Sequence, residues 1–184
     1  AKLRRQVRED IRDIQQKLGV TTIYVTHDQE EALAISDKVI VMNEAIIAQE
    51  GSPKDLYNNP KNKFVANFIG DANVLKAEIE NKEGNSYNLK LDEMKINIIN
   101  DENLSGKISV ALRPEKISIQ KNNIENTIKA KITNASFVGS SYQYIVSSNI
   151  GKIYITSRNT KDFFKINDDV FLSFDEKELK VLKD

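Results

Sequence analysis

The chain has 184 residues, of which 29% are charged and 40% hydrophobic, and its 27 basic and 27 acidic side chains cancel. This length allows up to two small domains, and a zero net charge argues against a protein that binds nucleic acid by neutralising phosphates. The absence of cysteine excludes disulfides and thiolate ligands, and a single histidine argues against a zinc site.

The first 36 residues predict a helix, a strand and a second helix. The first helix, over 2–18, has apolar residues three or four apart and ends at Gly19. The β-branched run 21–26 predicts a short buried strand. Asp28 and Glu31 have the spacing of a capping box, which predicts a helix over about 29–36. The apolar stripe of the first helix consists of Leu3, Val7, Ile11, Ile14 and Leu18.

The segment that follows predicts a hairpin and two short helices. Residues 38–42 form a second buried strand in this prediction, and residues 45–49 pair back on it. A serine and a proline predict a helix over 53–58, and apolar spacing predicts another over 61–69 that ends at Gly70. This order of elements indicates the tail of an α/β domain.

The tight turn of this hairpin contains Asn43, Glu44 and Ala45. Glycine supplies the positive φ that such turns require, and alanine resists it. Either Asn43 takes the left-handed conformation or the turn has a different form.

From about residue 71 the pattern changes to many short β-rich runs separated by glycine and asparagine, which predicts a small all-β barrel or sandwich. We therefore place a domain boundary near 70–72, with one domain over 1–70 and a second over 71–184. The predicted strands are 74–80, 86–91, 107–113, 127–138, 142–148, 152–157, 170–174 and 179–182.

The β-rich part contains a faint internal repeat. Residues 77–81 (AEIEN) precede Tyr87, and residues 130–134 (AKITN) precede Tyr142. This similarity indicates two copies of a related motif.

The single histidine, His27, stands between the predicted strand and the predicted helix. In α/β sheets ligands bind at this end of a strand, and the N-terminus of a following helix favours an anion. His27 there can donate a hydrogen bond to a phosphate oxygen or orient a water. On geometry alone, a histidine that merely helps to cap the helix is the favoured interpretation.

Four segments resemble a known family. Residues 24–42 (YVTHDQEEALAISDKVIVM) resemble the switch-histidine segment of the ATP-binding subunits of ABC-type importers. Residues 1–5 (AKLRR) resemble the end of the D-loop and the helix after it. Residues 49–70 resemble the end of a P-loop nucleotide-binding domain, in the subfamily that carries an extra C-terminal domain. Residues 110–119 (VALRPEKISI) resemble the Arg-Pro-Glu segment of that TOBE or OB-like regulatory domain.

The resemblance implies roles for five residues. His27 would be the switch histidine, which contacts the γ-phosphate of ATP and helps to hold the attacking water. Ala1 and Lys2 would be the remnant of the D-loop, which meets the opposite subunit. Arg113 and Glu115 become candidates for contact with the nucleotide-binding domain, whereas the residues alone favour local pairing of these two side chains around a proline.

Several motifs of the family are missing. The chain contains no G-x-x-x-x-G-K-S/T stretch and no Leu-Ser-Gly-Gly-Gln signature. We expect a piece of a longer subunit that binds ATP and Mg²⁺ as a whole, and we expect this piece alone to lack a metal site and to be inactive. Because its α/β elements have no sheet neighbours, we also expect self-association or poor order in residues 1–50.

By the resemblance, the full-length protein would work at the cytoplasmic face of the membrane with permease subunits, a second ATPase copy and, indirectly, a solute-binding protein. The stretches NFIGDANVL, LRPEKI and FVGSSYQY are most like spermidine/putrescine importers, with iron(III), sugar, thiamine and phosphonate importers as near relatives. Two alternatives remain. One is a stand-alone β module that binds a small anion such as molybdate. The other is an OB-type nucleic-acid binder, which 7% aromatic residues and zero net charge disfavour.

Overall fold

The computed structural model describes residues 2–183. Its α-helices are α1 (Lys2–Leu18), α2 (Gln29–Ile35), α3 (Pro53–Asn58) and α4 (Lys63–Phe68). Its strands are β1 (Val39–Asn43), β2 (Ile46–Gly51), β3 (Asn73–Glu83), β4 (Ser86–Leu91), β5 (Met94–Ile99), β6 (Lys107–Leu112), β7 (Ser118–Gln120), β8 (Ile128–Phe137), β9 (Tyr142–Ser148), β10 (Gly151–Ser157), β11 (Asp169–Ser173) and β12 (Lys180–Leu182). Single 3₁₀ turns follow β6 and β11, at Pro114–Lys116 and Glu176–Glu178.

The strands from β3 onward form two five-stranded sheets, ordered β12-β6-β3-β4-β5 and β10-β9-β8-β11-β7. In the first sheet β3 pairs with β4 and β6, and β4 pairs with β5. The second sheet repeats this pattern with β8, β9, β10 and β11. The remaining strands are exchanged, because β7 pairs with β11 and β12 pairs with β6. The two repeats are therefore interlocked.

The internal repeat predicted from sequence is confirmed by a shared bulge. The register of β3 shifts between Ile79 and Asn81, and that of β8 shifts between Ile132 and Asn134. The backbone N–H of Ile79 and that of Ile132 each donate to a carbonyl at the entry to the last strand of their repeat, both at 3.0 Å. Such bulges bend a strand and increase its twist, which lets each sheet curve around its side chains.

The predicted equivalence of Tyr87 and Tyr142 is wrong by two positions. Tyr87 pairs with Lys82 on β3, and Tyr144 pairs with Ala135 at the matching place on β8. Both tyrosines are 1% exposed, and each hydroxyl contacts the backbone of the loop that leads to the last strand of its repeat. The displacement arises because the second hairpin is longer beyond the matching pair: four residues connect β8 to β9, whereas two connect β3 to β4, and each strand of the second hairpin is one residue longer.

One hydrophobic cluster takes side chains from both of these sheets. Leu89 and Leu91 of β4, with Ile153 and Ile155 of β10, are among its fully buried members, and their alternation places every second residue inward. Each such side chain contributes roughly 1.5–3 kcal/mol by leaving water.

The first 70 residues build a smaller cluster, in which Val39 and Val41 of β1 pack with Leu56 of α3, Val65 of α4 and Ile69 directly after α4. The hairpin β1–β2, the N-cap of α3 at Ser52 and the stop of α4 at Gly70 agree with the sequence predictions.

The described residues do not show the predicted α/β tail as such. Residues 21–26 belong to no sheet of the described residues, and Ile23 and Val25 are 89% and 90% exposed. The described sheet of this part of the chain is the two-stranded antiparallel β1–β2 hairpin, whose Ile40 and Met42 also face solvent. A short β-branched segment becomes a strand only when neighbouring strands accept its backbone hydrogen bonds, and no described residue does so here.

The turn between β1 and β2 takes a form that the sequence left open. Glu44 and Ala45 both have positive φ, at 48° and 63°. The positive φ values therefore fall on Glu44 and Ala45, where neither side chain favours them, rather than on Asn43.

Candidate functional site

His27 lies at an exposed bend directly before α2. Side chains on both sides hold this bend. The hydroxyl of Thr26 accepts from the N–H of Asp28 and donates to Glu31, both at 3.0 Å. The carboxylate of Asp28 accepts from the N–H of Glu31 at 3.2 Å and caps the helix, as the sequence predicts. The imidazole is thus exposed to solvent, and the bend that carries it is held by these three hydrogen bonds and by a fourth.

The fourth contact of this bend comes from Tyr24, whose hydroxyl donates to Glu31 at 3.2 Å. The hydrogen bond to Glu31 raises the pKa of Tyr24. Glu31 therefore holds the bend through its hydrogen bonds, whereas the neighbouring Glu30 is exposed. The two adjacent carboxylates do not form an acid–base pair.

Gln29, the first residue of α2, connects the bend to the end of α4. Its side-chain oxygen accepts from the N–H of Gly70 at 2.5 Å. Gly70 has a φ of 83°, and a Cβ there would lie 2.4 Å from Cε2 of Tyr57 and 3.0 Å from Nη1 of Arg113. Only glycine fits this position.

Arg113, directly after β6, is 7% exposed, and its guanidinium donates to backbone carbonyls of α3, of α4 and of the residue that follows α4. Its Nε lies 3.1 Å from the oxygen of Tyr57 and its Nη1 lies 3.2 Å from the oxygen of Ala66, with a further contact to Ile69. The guanidinium also lies over the ring of Tyr57, 4.1 Å from its centre. Burial lowers the pKa of Arg113.

Glu115 accepts a hydrogen bond of 2.6 Å from the hydroxyl of Tyr57. Burial and this hydrogen bond raise the pKa of Tyr57 to about 12. Arg113 and Glu115 therefore find their partners in α3 and α4, more than 40 residues away in sequence, and not in each other as the residues alone had favoured.

Asn73 lies next to the end of β6, where its side chain donates to the backbone oxygen of Leu112, and the sequence did not single it out. It is 4% exposed, and its amide exchanges two hydrogen bonds with the backbone of Tyr154 in β10, at 2.8 and 2.7 Å. The side chain thus joins the start of β3 to the edge of the second sheet. The one sign of this role in the sequence was a polar residue at the first position of a buried strand.

The remaining predicted site residues are at the start of the chain. Ala1 lies outside the described residues, and of Lys2 the structure describes the backbone, which begins α1. Within residues 2–183, no three histidine, cysteine, aspartate or glutamate side chains are grouped so as to hold a metal ion. No helix in the same range combines the length and the apolar character needed to cross a bilayer.

Residues 110–182 match the family described as the TOBE domain. The Fe(3+) ions import ATP-binding protein FbpC of Agrobacterium fabrum is 36% identical over 174 residues, which are 95% of this chain and 49% of that protein. The corresponding protein of Rhizobium meliloti is 32% identical over 99% of this chain and 51% of its own length. That of Fusobacterium nucleatum is 40% identical over 88% of this chain and 43% of its own length.

The chain thus spans about half the length of the curated relatives it matches. It is similar over nearly all of its residues to ATP-binding proteins of importers, and residues 110–182, within its β-rich part, match the TOBE-domain family. A molybdate-bound crystal form of the cytoplasmic molybdate-binding protein ModG covers 58% of this chain and 92% of its own, with 10% identity and a TM-score of 0.49. A likeness of that size carries no argument about function.

Proposed function

We propose that this chain is part of the ATP-hydrolysing subunit of an ABC-type importer, and that the imported solute is Fe(3+). The observation that carries the proposal is the similarity, over 95% and 99% of the chain, to ATP-binding proteins named for Fe(3+) import. These relatives favour the iron alternative over spermidine and putrescine, which the sequence motifs placed first.

In this proposal His27 contacts the γ-phosphate of ATP and helps to hold the attacking water. The exposed imidazole and the bend fixed by Thr26, Asp28 and Glu31 support the role, because a group that meets a nucleotide must be both accessible and held in place. ATP supplies the phosphoryl group and Mg²⁺ neutralises its charge when both are bound.

The other nucleotide contacts come from residues that this chain does not contain. None of the 184 residues forms the glycine loop that cradles phosphates, so His27 by itself makes no nucleotide cradle. We expect the isolated chain to show no ATP hydrolysis, and the full-length parent to show it.

The exposed apolar residues of the N-terminal part support a larger domain around it. Seven of them, from α1 to residue 25, are at least 46% exposed: Leu3, Val7, Ile14, Leu18, Val20, Ile23 and Val25. Exposed apolar side chains grouped in one segment favour a surface that packs against another part of a protein, and this segment suits the rest of a nucleotide-binding domain. We propose that residues 1–70 complete that domain and that residues 71–184 form the regulatory one.

The proposal also places the protein among partners. It would bind permease subunits at the cytoplasmic face of the membrane and pair with a second ATPase subunit, with Ala1 and Lys2 near the opposite subunit. Arg113 and Glu115 would hold the regulatory domain against the nucleotide-binding domain, through the contacts to Tyr57 and Ile69 described above.

The test is uptake of labelled Fe(3+) and of labelled spermidine by cells whose own copy is replaced by the His27→Ala variant of the full-length protein. We expect Fe(3+) uptake to be lost and spermidine uptake to be unchanged. The exposed neighbour variant Glu30→Gln is the matched control and should retain uptake. Loss of spermidine uptake alone would restore the polyamine alternative, and full activity of His27→Ala would overturn the role of the histidine.

A further inference from the structure

An unbroken series of contacts leads from the bend at His27 to the β-rich part of the chain. The side chain of Gln29 accepts from the N–H of Gly70 at 2.5 Å. The carbonyl of the preceding residue, Ile69, accepts from Arg113, which closes β6. Three side-chain and backbone groups therefore join the turn that carries the histidine to the first β-sheet.

At the β-sheet end of this series, Gly70, Tyr57 and Arg113 form a rigid junction. Gly70 is packed so closely against Tyr57 and Arg113 that a single added carbon would clash. The buried guanidinium of Arg113 donates to three carbonyls, and a buried charge is costly to leave without partners. A displacement of the β-rich part is therefore carried to Gly70 rather than absorbed between Gly70 and Arg113.

At the other end of the series, next to His27, helix α2 is held by few contacts. No residue of α2 is fully buried, and its packing rests on the partly buried Ala32 and Leu33. Beyond its C-terminal end, Asp37 binds Arg12 of α1 through two hydrogen bonds of 2.9 and 2.5 Å. At its N-terminal end, next to the histidine, the contact to Gly70 comes from Gln29.

We propose that Gln29 is a positioning residue for ATP hydrolysis, which transmits the position of the β-rich domain through Gly70 and Arg113 to the turn that carries His27. This inference rests on the proposed function. A regulator or a partner subunit that displaces the β-rich domain then changes hydrolysis without touching the nucleotide, because it moves the bend.

The first test measures ATP hydrolysis by the full-length parent with Gln29→Leu, which removes the acceptor, and Gln29→Glu, which keeps an accepting oxygen. We expect Gln29→Leu to lower kcat roughly three- to tenfold, the effect of one lost hydrogen bond, with KM for ATP unchanged. Gln29→Glu should restore most of the rate, and the exposed neighbour Glu30→Gln should match the unchanged protein.

A double-mutant cycle tests the transmission. Arg113→Lys cannot reproduce the planar fork that meets the three carbonyls, so it should lower kcat as Gln29→Leu does. If the two residues act in series, the double variant is no slower than the slower single variant. Independent losses that multiply would overturn the proposal.

A second readout needs no nucleotide. In the 184-residue chain, the amide of Gly70 should exchange with solvent faster in Gln29→Leu than in Gln29→Glu. Arg113→Lys should also speed exchange at Glu31, whose N–H binds Asp28 in the His27 bend and lies outside the junction. A purely local role of Arg113 leaves Glu31 unchanged, and that result would overturn the inference.

Two failures are distinguishable. If His27→Ala abolishes ATP hydrolysis by the parent while Gln29→Leu behaves like Glu30→Gln, the proposed function stands and the positioning role is wrong. If His27→Ala itself hydrolyses ATP normally, the role of the histidine fails, and the positioning role fails with it.

Discussion

Arg113 shows how little a single residue's type says about its role. In sequence it lies beside Pro114 and Glu115, and local pairing is the simplest interpretation. In the structure it is buried, stacks on Tyr57 and donates to carbonyls at the ends of two short helices. Such helix ends leave carbonyls without partners, and a planar guanidinium can serve several at once.

Glu44 and Ala45 form a strained turn, because their residue types do not suit the positive φ that the turn requires. Both residues have positive φ, which costs an ordinary L-residue about 1–2 kcal/mol. The hairpin keeps this turn because the register of β1 and β2 places Val39 and Val41 in the core.

Ala45→Gly should therefore stabilise the chain, by about 0.5–1 kcal/mol in the free energy of unfolding, since glycine accepts this φ without strain. Denaturant titration measures the change. The control is Ala48→Gly in β2, where φ is not positive and the same change should lower stability. A destabilised Ala45→Gly variant would contradict the strain argument.

Among the elements, residues 21–26 show most clearly that strand propensity alone does not produce a strand. Their β-branched composition predicts a strand, and the chain instead leaves them outside the described sheets and mostly exposed, because no described strand pairs with them. The same dependence explains β7, a strand of three residues that sequence inspection missed and that exists through its pairing with β11.

Replacing Ile23 and Val25 by threonine should change the stability of the 184-residue chain by less than about 0.5 kcal/mol, because both side chains are already in water. The same change at buried Val41 should cost more, and all three can be compared by thermal unfolding.

The double variant Ile23→Thr/Val25→Thr should also reduce the self-association that we expect of the unchanged chain, measured by light scattering. Equal association of both proteins would contradict a role of this segment in it.

The strands that sequence did predict share a visible feature. β4 and β9 have the bounds expected of them, and β4 alternates buried and exposed residues along its length. β5 was overlooked although it shows the same alternation, with Met94, Ile96 and Ile98 inward. That strand was thus predictable from pattern alone, whereas β7 was not.

For the whole molecule, the exchange of β7 and β12 between the two repeats is the main result of the fold. Because β12 pairs with β6, it lies beside the contacts of Arg113, and Leu182 packs with Ala66 of α4, Ala72 and Ala111. β12 thereby ties the helices of the first 70 residues to the β-rich part.

Leu182→Ala should lower the free energy of unfolding by about 2–4 kcal/mol, because it leaves a cavity where helix and sheets meet. Urea titration gives the value. Ile99→Ala is the control, since Ile99 is 81% exposed on the edge strand β5 and its loss should be nearly neutral. Equal effects of the two changes would show that this small cluster does not join the two parts.

The sequence by itself determined the helix caps, most strand positions, the repeat and the candidacy of His27, since each depends on residues that are close together in the chain. The tertiary structure alone decided the exchanged strands, the exposure of residues 21–26 and the junction of Gln29, Gly70 and Arg113. These features depend on contacts between residues 40 or more positions apart, or on partners that are absent for a segment. Local pattern carries no record of which distant groups will meet, because folding chooses them by burial and by the satisfaction of backbone hydrogen bonds across the entire chain.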